Sequence, residues 1–180
     1  MKLCKYKKAE FSALKDKWMG LLNKKSHPVF EAEYSQLFDR IDSTGCWSDL
    51  NSCLNKSIFN CIIDTNGEEW AIVEFVLSKN GSSVWVKMLD MYLSPKIELE
   101  ADTEANTKKR LDIFRAALIG IFGLTKVIKK ADTVKVYGRT DALVMFLRGM
   151  HDSISVITTL GTIKGIEVSI EGRWLVFRTS

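Results

Sequence analysis

The chain has 180 residues, of which 46% are hydrophobic and 27% are charged, and its net charge is +4. This length and composition are typical of one globular domain with a real core, and they exclude a disordered or low-complexity protein. No apolar run is long enough to span a membrane, and "MKLCKYKK" lacks the apolar core of a signal peptide. We therefore expect a soluble, intracellular protein.

The charge is unevenly distributed along the chain. The first 25 residues contain eight lysines against Glu10 and Asp16, whereas the remaining residues are net negative. Such a basic segment is either a solvated helix face or a surface that meets nucleic acid, anionic lipid or an acidic protein. Four of these lysines are our candidates for binding a protein partner or a second copy of the chain: Lys7, Lys8, Lys15 and Lys17.

The first 55 residues predict helices. Apolar residues recur at helical spacing in "KAEFSALKDKWMGLLNK" (8–24) and "HPVFEAEYSQLFDRID" (27–42). A third, shorter helix is predicted over "WSDLNSCLN" (47–55), with Ser48 as its cap. These helices form the amino-terminal part of a single predicted domain that spans residues 1–180.

Residues 56–180 change to a sheet-forming pattern. Three runs are rich in β-branched and aromatic residues, and Asn66-Gly67 and Asn80-Gly81 separate them: "SIFNCIID" (57–64), "EWAIVEFVLS" (69–78) and "SVWVKMLDMYLS" (83–94). Asn-Gly predicts tight hairpins in which both turn residues have positive φ. We therefore expect an antiparallel meander, with its third strand at the centre of the sheet.

Two helices and three more strands are predicted after the meander. They are a long helix over about 104–130, the strand "TVKVYGR" (133–139), a helix over 141–150 that ends near Gly149, and a closing hairpin that turns at "EG" (171–172). The fold class is therefore α+β, or layered α/β, with a mostly antiparallel central sheet flanked by helices.

The four cysteines do not predict a metal site. Cys4, Cys46, Cys53 and Cys61 form no CxxC pair, and His27 and His151 lie far from them in sequence. Isolated cysteines near apolar residues are usually buried free thiols of a reducing compartment. We therefore expect four free thiols.

The order of these elements resembles the GNAT (N-acetyltransferase) superfamily over residues 58–180. "VWVKMLDMYLSP" (84–95) is similar to the family's central strand, and "VYGRTDALVMFLRGM" (136–150) is similar to its next strand and helix. The resemblance implies a GNAT-like sheet and, in a working member, transfer of an acyl group from acetyl-CoA to an amine.

The sequence departs from the family at the joint that binds the cofactor. Working members have Gln/Arg-x-x-Gly-x-Gly/Ala there, and its glycines let backbone amides close on the pyrophosphate. Here "PKIELEADTEANTKK" (95–109) has no glycine and carries four carboxylates that repel a diphosphate: Glu98, Glu100, Asp102 and Glu104. We therefore expect no cofactor.

Two further positions depart from the family pattern. Arg139 stands where the family has asparagine, and Phe146 stands where it has the tyrosine that protonates the leaving thiolate. If the protein is nevertheless an enzyme, the resemblance implies Asp90 or Glu74 as the base, and Tyr92 or Tyr137 as the acid. Acetyl-CoA would then be held by residues of the central strand and the following helix: Met91, Leu93, Asn106, Thr107 and Lys108.

The chain also resembles the GNAT-like virion-associated proteins of short-tailed phages. "KVYGRTDALVMFLRG" and "EGRWLVFRT" are similar to the end of those proteins, which also lack the glycine loop. The first hypothesis is therefore a non-catalytic binding or assembly component, located in the cytoplasm or within a phage particle. The alternatives are a CoA-dependent N-acyltransferase with a non-standard phosphate loop, and a nucleic-acid-binding module.

Overall fold

The computed structural model describes residues 1–25, 28–159 and 165–179. Its elements are, in chain order, β1 (Lys2–Lys5), α1 (Lys8–Lys25), α2 (Pro28–Thr44), a 3-10 turn (Leu50–Ser52), β2 (Ser57–Ile63), β3 (Glu69–Asn80), β4 (Ser83–Leu93), α3 (Pro95–Glu98), α4 (Glu104–Thr125), β5 (Ala131–Tyr137), α5 (Asp141–Thr159), β6 (Ile166–Glu171) and β7 (Trp174–Thr179).

The strands of the described residues form one seven-stranded sheet in the order β1-β2-β3-β4-β5-β7-β6. Every neighbouring pair is antiparallel except β4 and β5, which are parallel and connected through α4. The predicted fold class is confirmed, and β4 lies at the centre as expected. A meander, a helix, a strand, a helix and a hairpin follow one another in the predicted order.

Two apolar clusters cover the two faces of the sheet. On one face α4 packs Ile113, Phe114 and Ile121 against strand residues such as Phe75 and Val86. On the other face α1 and α2 pack their apolar sides on the meander with a cluster that includes Phe11, Trp18, Tyr34, Phe38 and Tyr92. Tyr92 on β4 therefore lies beneath the amino-terminal helices.

The structure corrects several predicted elements. β1 was not predicted, and the predicted third helix is only a 3-10 turn, capped by Asp49 rather than Ser48. α4 ends at Thr125, five residues before the predicted end. α5 continues past Gly149 to Thr159, because an exposed glycine with open space around it weakens a helix without ending it.

The hairpins form where Asn-Gly predicts them, but their turn geometry differs from the prediction. Gly67 and Gly81 have positive φ, whereas neither preceding asparagine does. These turns therefore need the conformational freedom of glycine at one position only.

The prediction of four free thiols is wrong for two of the cysteines. Cys46 and Cys53 form a disulfide with their Cα atoms 5.8 Å apart, while Cys4 and Cys61 are free. The 3-10 turn folds the chain back between positions 46 and 53, and sequence spacing did not reveal this approach. Among the described residues, no group of His, Cys, Asp and Glu is arranged to hold a metal ion.

None of the helices in the described part of the chain combines the length and apolar character needed to cross a bilayer.

Candidate functional site

A cleft opens where β4 and β5 separate. Their pairing ends at Met88 and Val136, while β4 continues to Leu93 beside β3. A β-bulge on β4 lies directly after Met88, because Glu74 pairs with Asp90 and Phe75 with Met88. A bulge bends its strand and re-aims the following side chains. The cleft has a volume of about 430 Å3 and is lined by β4, α2, the start of α5 and the joint after β4.

A hydrogen-bonded network surrounds the hydroxyl of Tyr92 at the bottom of the cleft. This hydroxyl donates to Asp90 Oδ2 (2.8 Å) and accepts hydrogen bonds from Arg40 Nη2 and from Arg139 Nη1 (3.2 Å). Arg139 also forms an ion pair with Asp90. Arg40 pairs with Glu74 Oε2 (2.9 Å), whose other oxygen accepts from Ser57 (2.8 Å). Both candidate bases and one candidate acid therefore belong to one network.

The electrostatics of this network keep the phenol protonated. Burial and the adjacent Asp90 carboxylate raise the pKa of Tyr92. The charge of Asp90 also raises the pKa of the Arg139 guanidinium. The phenolic proton is already donated to Asp90, so a leaving thiolate could receive it only after that hydrogen bond breaks.

The outer wall of the cleft is acidic and partly closed. The hydroxyl of Tyr34 on α2 donates to the backbone carbonyl of Leu93, the last residue of β4. Glu33 and Glu98 line the same cleft. Burial raises the pKa of Glu98, and Glu33 adds to this effect, whereas Arg110 opposes it.

The joint between β4 and α4 is filled by its own side chains. Arg110 reaches back from α4 to donate to the carbonyls of Ile97 (3.0 Å) and Glu100 (3.4 Å), and it pairs with Asp102. Thr103 caps α4 by accepting from the amide of Asn106 (3.2 Å). This amide, which a bound phosphate would otherwise contact, already has a partner within the chain.

Other candidate residues lie outside the set that lines the cleft. Tyr137 packs against Trp174, with ring centroids 4.8 Å apart. Asn106 donates its side-chain amide to the carbonyl of Ala101 (2.8 Å), next to the exposed Thr107. Lys108 lines a separate groove between α4 and α5.

Phe146, at the position of the family's catalytic tyrosine, has a packing partner. Its ring contacts Phe114 edge to face, with centroids 5.3 Å apart. The residue therefore joins α5 to α4.

The four candidate lysines lie on α1 or, for Lys7, directly before it, and three of them form ion pairs within the chain. Lys8 pairs with Asp42 (2.7 Å) and Lys15 with Asp39 (3.1 Å), both on α2, while Lys17 pairs with Glu68 (3.0 Å) and with Glu69. Lys7 donates its backbone amide to the Glu10 carboxylate. That these lysines capture a partner stays a prediction.

Sequence reasoning missed the contribution of α2 to the site. The sequence pattern places Tyr34 only among the apolar residues at helical spacing in this segment, and it gives Arg40 no role. Their partners lie more than 50 positions away, on β4. No local pattern signals such a contact, since it depends on how α2 packs across the sheet.

No protein-family profile and no curated protein matches the chain. Among solved structures, the chain is similar to a chimeric spermidine N-acetyltransferase made from SpeG of Vibrio cholerae and hSSAT. The two share 13% sequence identity with a TM-score of 0.41, over 99% of this chain and 92% of the other. A likeness at this level says nothing about ligands or reaction.

Proposed function

We propose that this protein is a non-catalytic binding or assembly component that has a GNAT-like fold and has lost the acyl-CoA pyrophosphate loop. The observation that carries the proposal is the joint between β4 and α4. A diphosphate would need free backbone amides at this joint. The joint instead presents carboxylates and carbonyls that are bound by Arg110, and the amide at the start of α4 is capped by Thr103.

The end of β4 supports the same proposal. The carbonyl of Leu93 would be an acceptor for the thioester arm of acyl-CoA, and it is already bound by Tyr34. The ligand would have to displace a buried phenol, and burial raises the pKa of that phenol so that it stays protonated and donating. Glu33 and Glu98 would also face an anionic ligand in the cleft.

The setting of the proposed role comes from the sequence resemblance to virion-associated proteins of short-tailed phages. A protein partner or a second copy of the chain would be the ligand, either in the cytoplasm or within a phage particle. The candidate contact residues are four lysines at the start of the chain, on α1 or directly before it: Lys7, Lys8, Lys15 and Lys17.

Calorimetry with acetyl-CoA tests the proposal. We expect no saturable heat with up to about 1 mM ligand. Thermal unfolding provides a second readout, because a ligand at 100 times its Kd would stabilise the folded state by about 2.7 kcal/mol. That corresponds to a rise in Tm of roughly 5–10 °C for a chain of this size. Saturable micromolar binding together with such a rise would overturn the proposal.

The second candidate function is a CoA-dependent N-acyltransferase, and the network around Tyr92 favours it. A carboxylate, a phenol and two guanidinium groups converge at the separation of β4 and β5, an arrangement suited to proton transfer. Asp90 would accept the proton of an amine, and Tyr92 would protonate the leaving thiolate.

Matched tyrosine variants test this second candidate through thiol release from acetyl-CoA with a panel of amines. We expect Tyr92→Phe to lower kcat by about 100-fold if Tyr92 is the acid. Tyr137→Phe is the control, because that ring packs on Trp174 outside the cleft. Equal activity of both variants and the unchanged protein would remove Tyr92 from this role.

A further inference from the structure

The two free cysteines lie directly opposite each other on neighbouring strands. β1 pairs with β2 in antiparallel register, and Cys4 is the partner of Cys61. Directly opposed residues point to the same face of a sheet. Both thiols are therefore on the face that α1 and α2 cover, where Cys61 belongs to the buried cluster.

This register places the two cysteines within reach of a covalent bond. Opposed residues of an antiparallel pair have Cα atoms about 4.5 or 5.5 Å apart, depending on the type of pair. Both values lie in the range of about 4.4–6.8 Å found for disulfides. The Cβ atoms, at about 4.5–5.5 Å, would have to approach by up to about 1 Å. β1 can supply this movement because it is four residues long and lies at the edge of the sheet.

We propose that Cys4 and Cys61 are a redox-active dithiol that oxidises to a second disulfide and so fastens β1 to β2. In the reduced protein, β1 is held by its backbone ladder and by the contact of Leu3 with Gly120 on α4. In the oxidised protein a covalent bond joins the strand to the sheet interior.

The two thiols have different roles in the reaction with a small-molecule disulfide such as oxidised glutathione. Cys4 is half-buried and Cys61 is fully buried, so Cys4 meets the oxidant first. The Cys4 thiolate attacks the oxidant, forms a mixed disulfide and expels one glutathione thiolate. Cys61 then loses its proton and attacks the Cys4 sulfur, which expels the second glutathione. Two thiols are oxidised and one glutathione disulfide is reduced to two thiols.

The environment of Cys61 makes it the resolving thiol. Its Sγ donates to the backbone carbonyl of Ala71 (3.2 Å). Burial raises the pKa of the Cys61 thiol. Cys61 is therefore the less reactive of the two thiols towards an external oxidant.

Peptide mapping of the purified protein tests the inference. The protein is incubated with oxidised glutathione, unfolded in the presence of an alkylating agent and digested without reduction. After digestion with trypsin we expect a cross-linked peptide pair containing Cys4 and Cys61, in addition to the single peptide that holds the Cys46–Cys53 disulfide. Glutathione retained on Cys4 with Cys61 alkylated, or both cysteines alkylated, would overturn the inference.

Thermal unfolding gives a second readout with a matched variant. Closing the long loop between positions 4 and 61 should raise Tm by about 5–10 °C after oxidation. Cys4→Ser keeps the Cys46–Cys53 disulfide and removes only the proposed bond, so its Tm should not change on oxidation. An equal rise in Tm for the unchanged protein and for Cys4→Ser would assign the effect to another site. It would refute the proposed disulfide between Cys4 and Cys61.

Discussion

Replacing Gly120 by alanine should destabilise the protein, although alanine favours a helix. A Cβ at this position of α4 would lie 2.2 Å from the Cβ of Leu3 on β1, whereas carbon atoms in contact are about 3.5–4.0 Å apart. Either β1 or α4 must shift by more than about 1 Å, and such overpacking typically costs about 1–3 kcal/mol. The gain in helix propensity, at most about 1 kcal/mol, offsets only part of this cost.

Gly123→Ala is the matched control, because a Cβ there would meet nothing within 4 Å in the same helix. The propensity gains are similar, so the two variants should differ by the clash alone, or about 1–3 kcal/mol. Thermal unfolding followed by circular dichroism should then show Gly120→Ala melting roughly 3–10 °C below Gly123→Ala.

A double-mutant cycle locates the cause of that difference. Leu3→Gly removes the three atoms nearest to the new Cβ, so combining it with Gly120→Ala should give a favourable coupling of about 1 kcal/mol or more. Equal stability of the Gly120 and Gly123 variants would refute the close packing of β1 on α4.

Two further predictions concern charge. Because burial raises the pKa of Glu98, folding favours its neutral form, and this contribution to stability is lost as pH rises above the ordinary carboxyl range. Glu98→Gln should therefore raise Tm relative to the unchanged protein at pH 7 but not at pH 4, and an equal effect at both values would contradict the raised pKa. Changing all four candidate lysines to glutamine should leave Tm within a few degrees, because the ion pairs of Lys8 and Lys15 are exposed and the Lys17 side chain is itself more than a third exposed, yet weaken assembly or partner capture at low salt. If the quadruple variant assembles undiminished in sedimentation at low salt, these lysines form only a solvated face: Lys7, Lys8, Lys15 and Lys17.

The sheet was predictable from sequence because its signals are local. The meander has β-branched and aromatic runs separated by Asn-Gly, and the structure places hairpins at both turns. β1 was not predicted, because a segment of four residues with a lysine at each end has no recognisable strand pattern. β1 forms by pairing with β2 and packing on α4, and both are tertiary contacts.

The candidate site was predictable only in part. Asp90 and Tyr92 were named as candidates through the family resemblance, and both line the cleft, while their chemical role stays a prediction. Arg40 and Tyr34 were not, because a helix pattern specifies which face is buried and not which strand that face meets. The Cys46–Cys53 disulfide was also missed. A gap of seven positions is no motif, and the approach of the two cysteines depends on how the chain folds between them.

The hydrogen-bonding capacity of the Tyr92 hydroxyl links the two candidate functions. A phenol has one proton to donate and two lone pairs to accept with, and here Asp90, Arg40 and Arg139 occupy all three. A substrate could reach this hydroxyl only by displacing one of them. Arg139 is the easiest to move, because its side chain is 56% exposed whereas that of Asp90 is only 17% exposed. An enzyme would therefore have to open the cleft at Arg139, whereas a binding component can keep the network closed and use it to hold α2, β4 and the connection before α5 together.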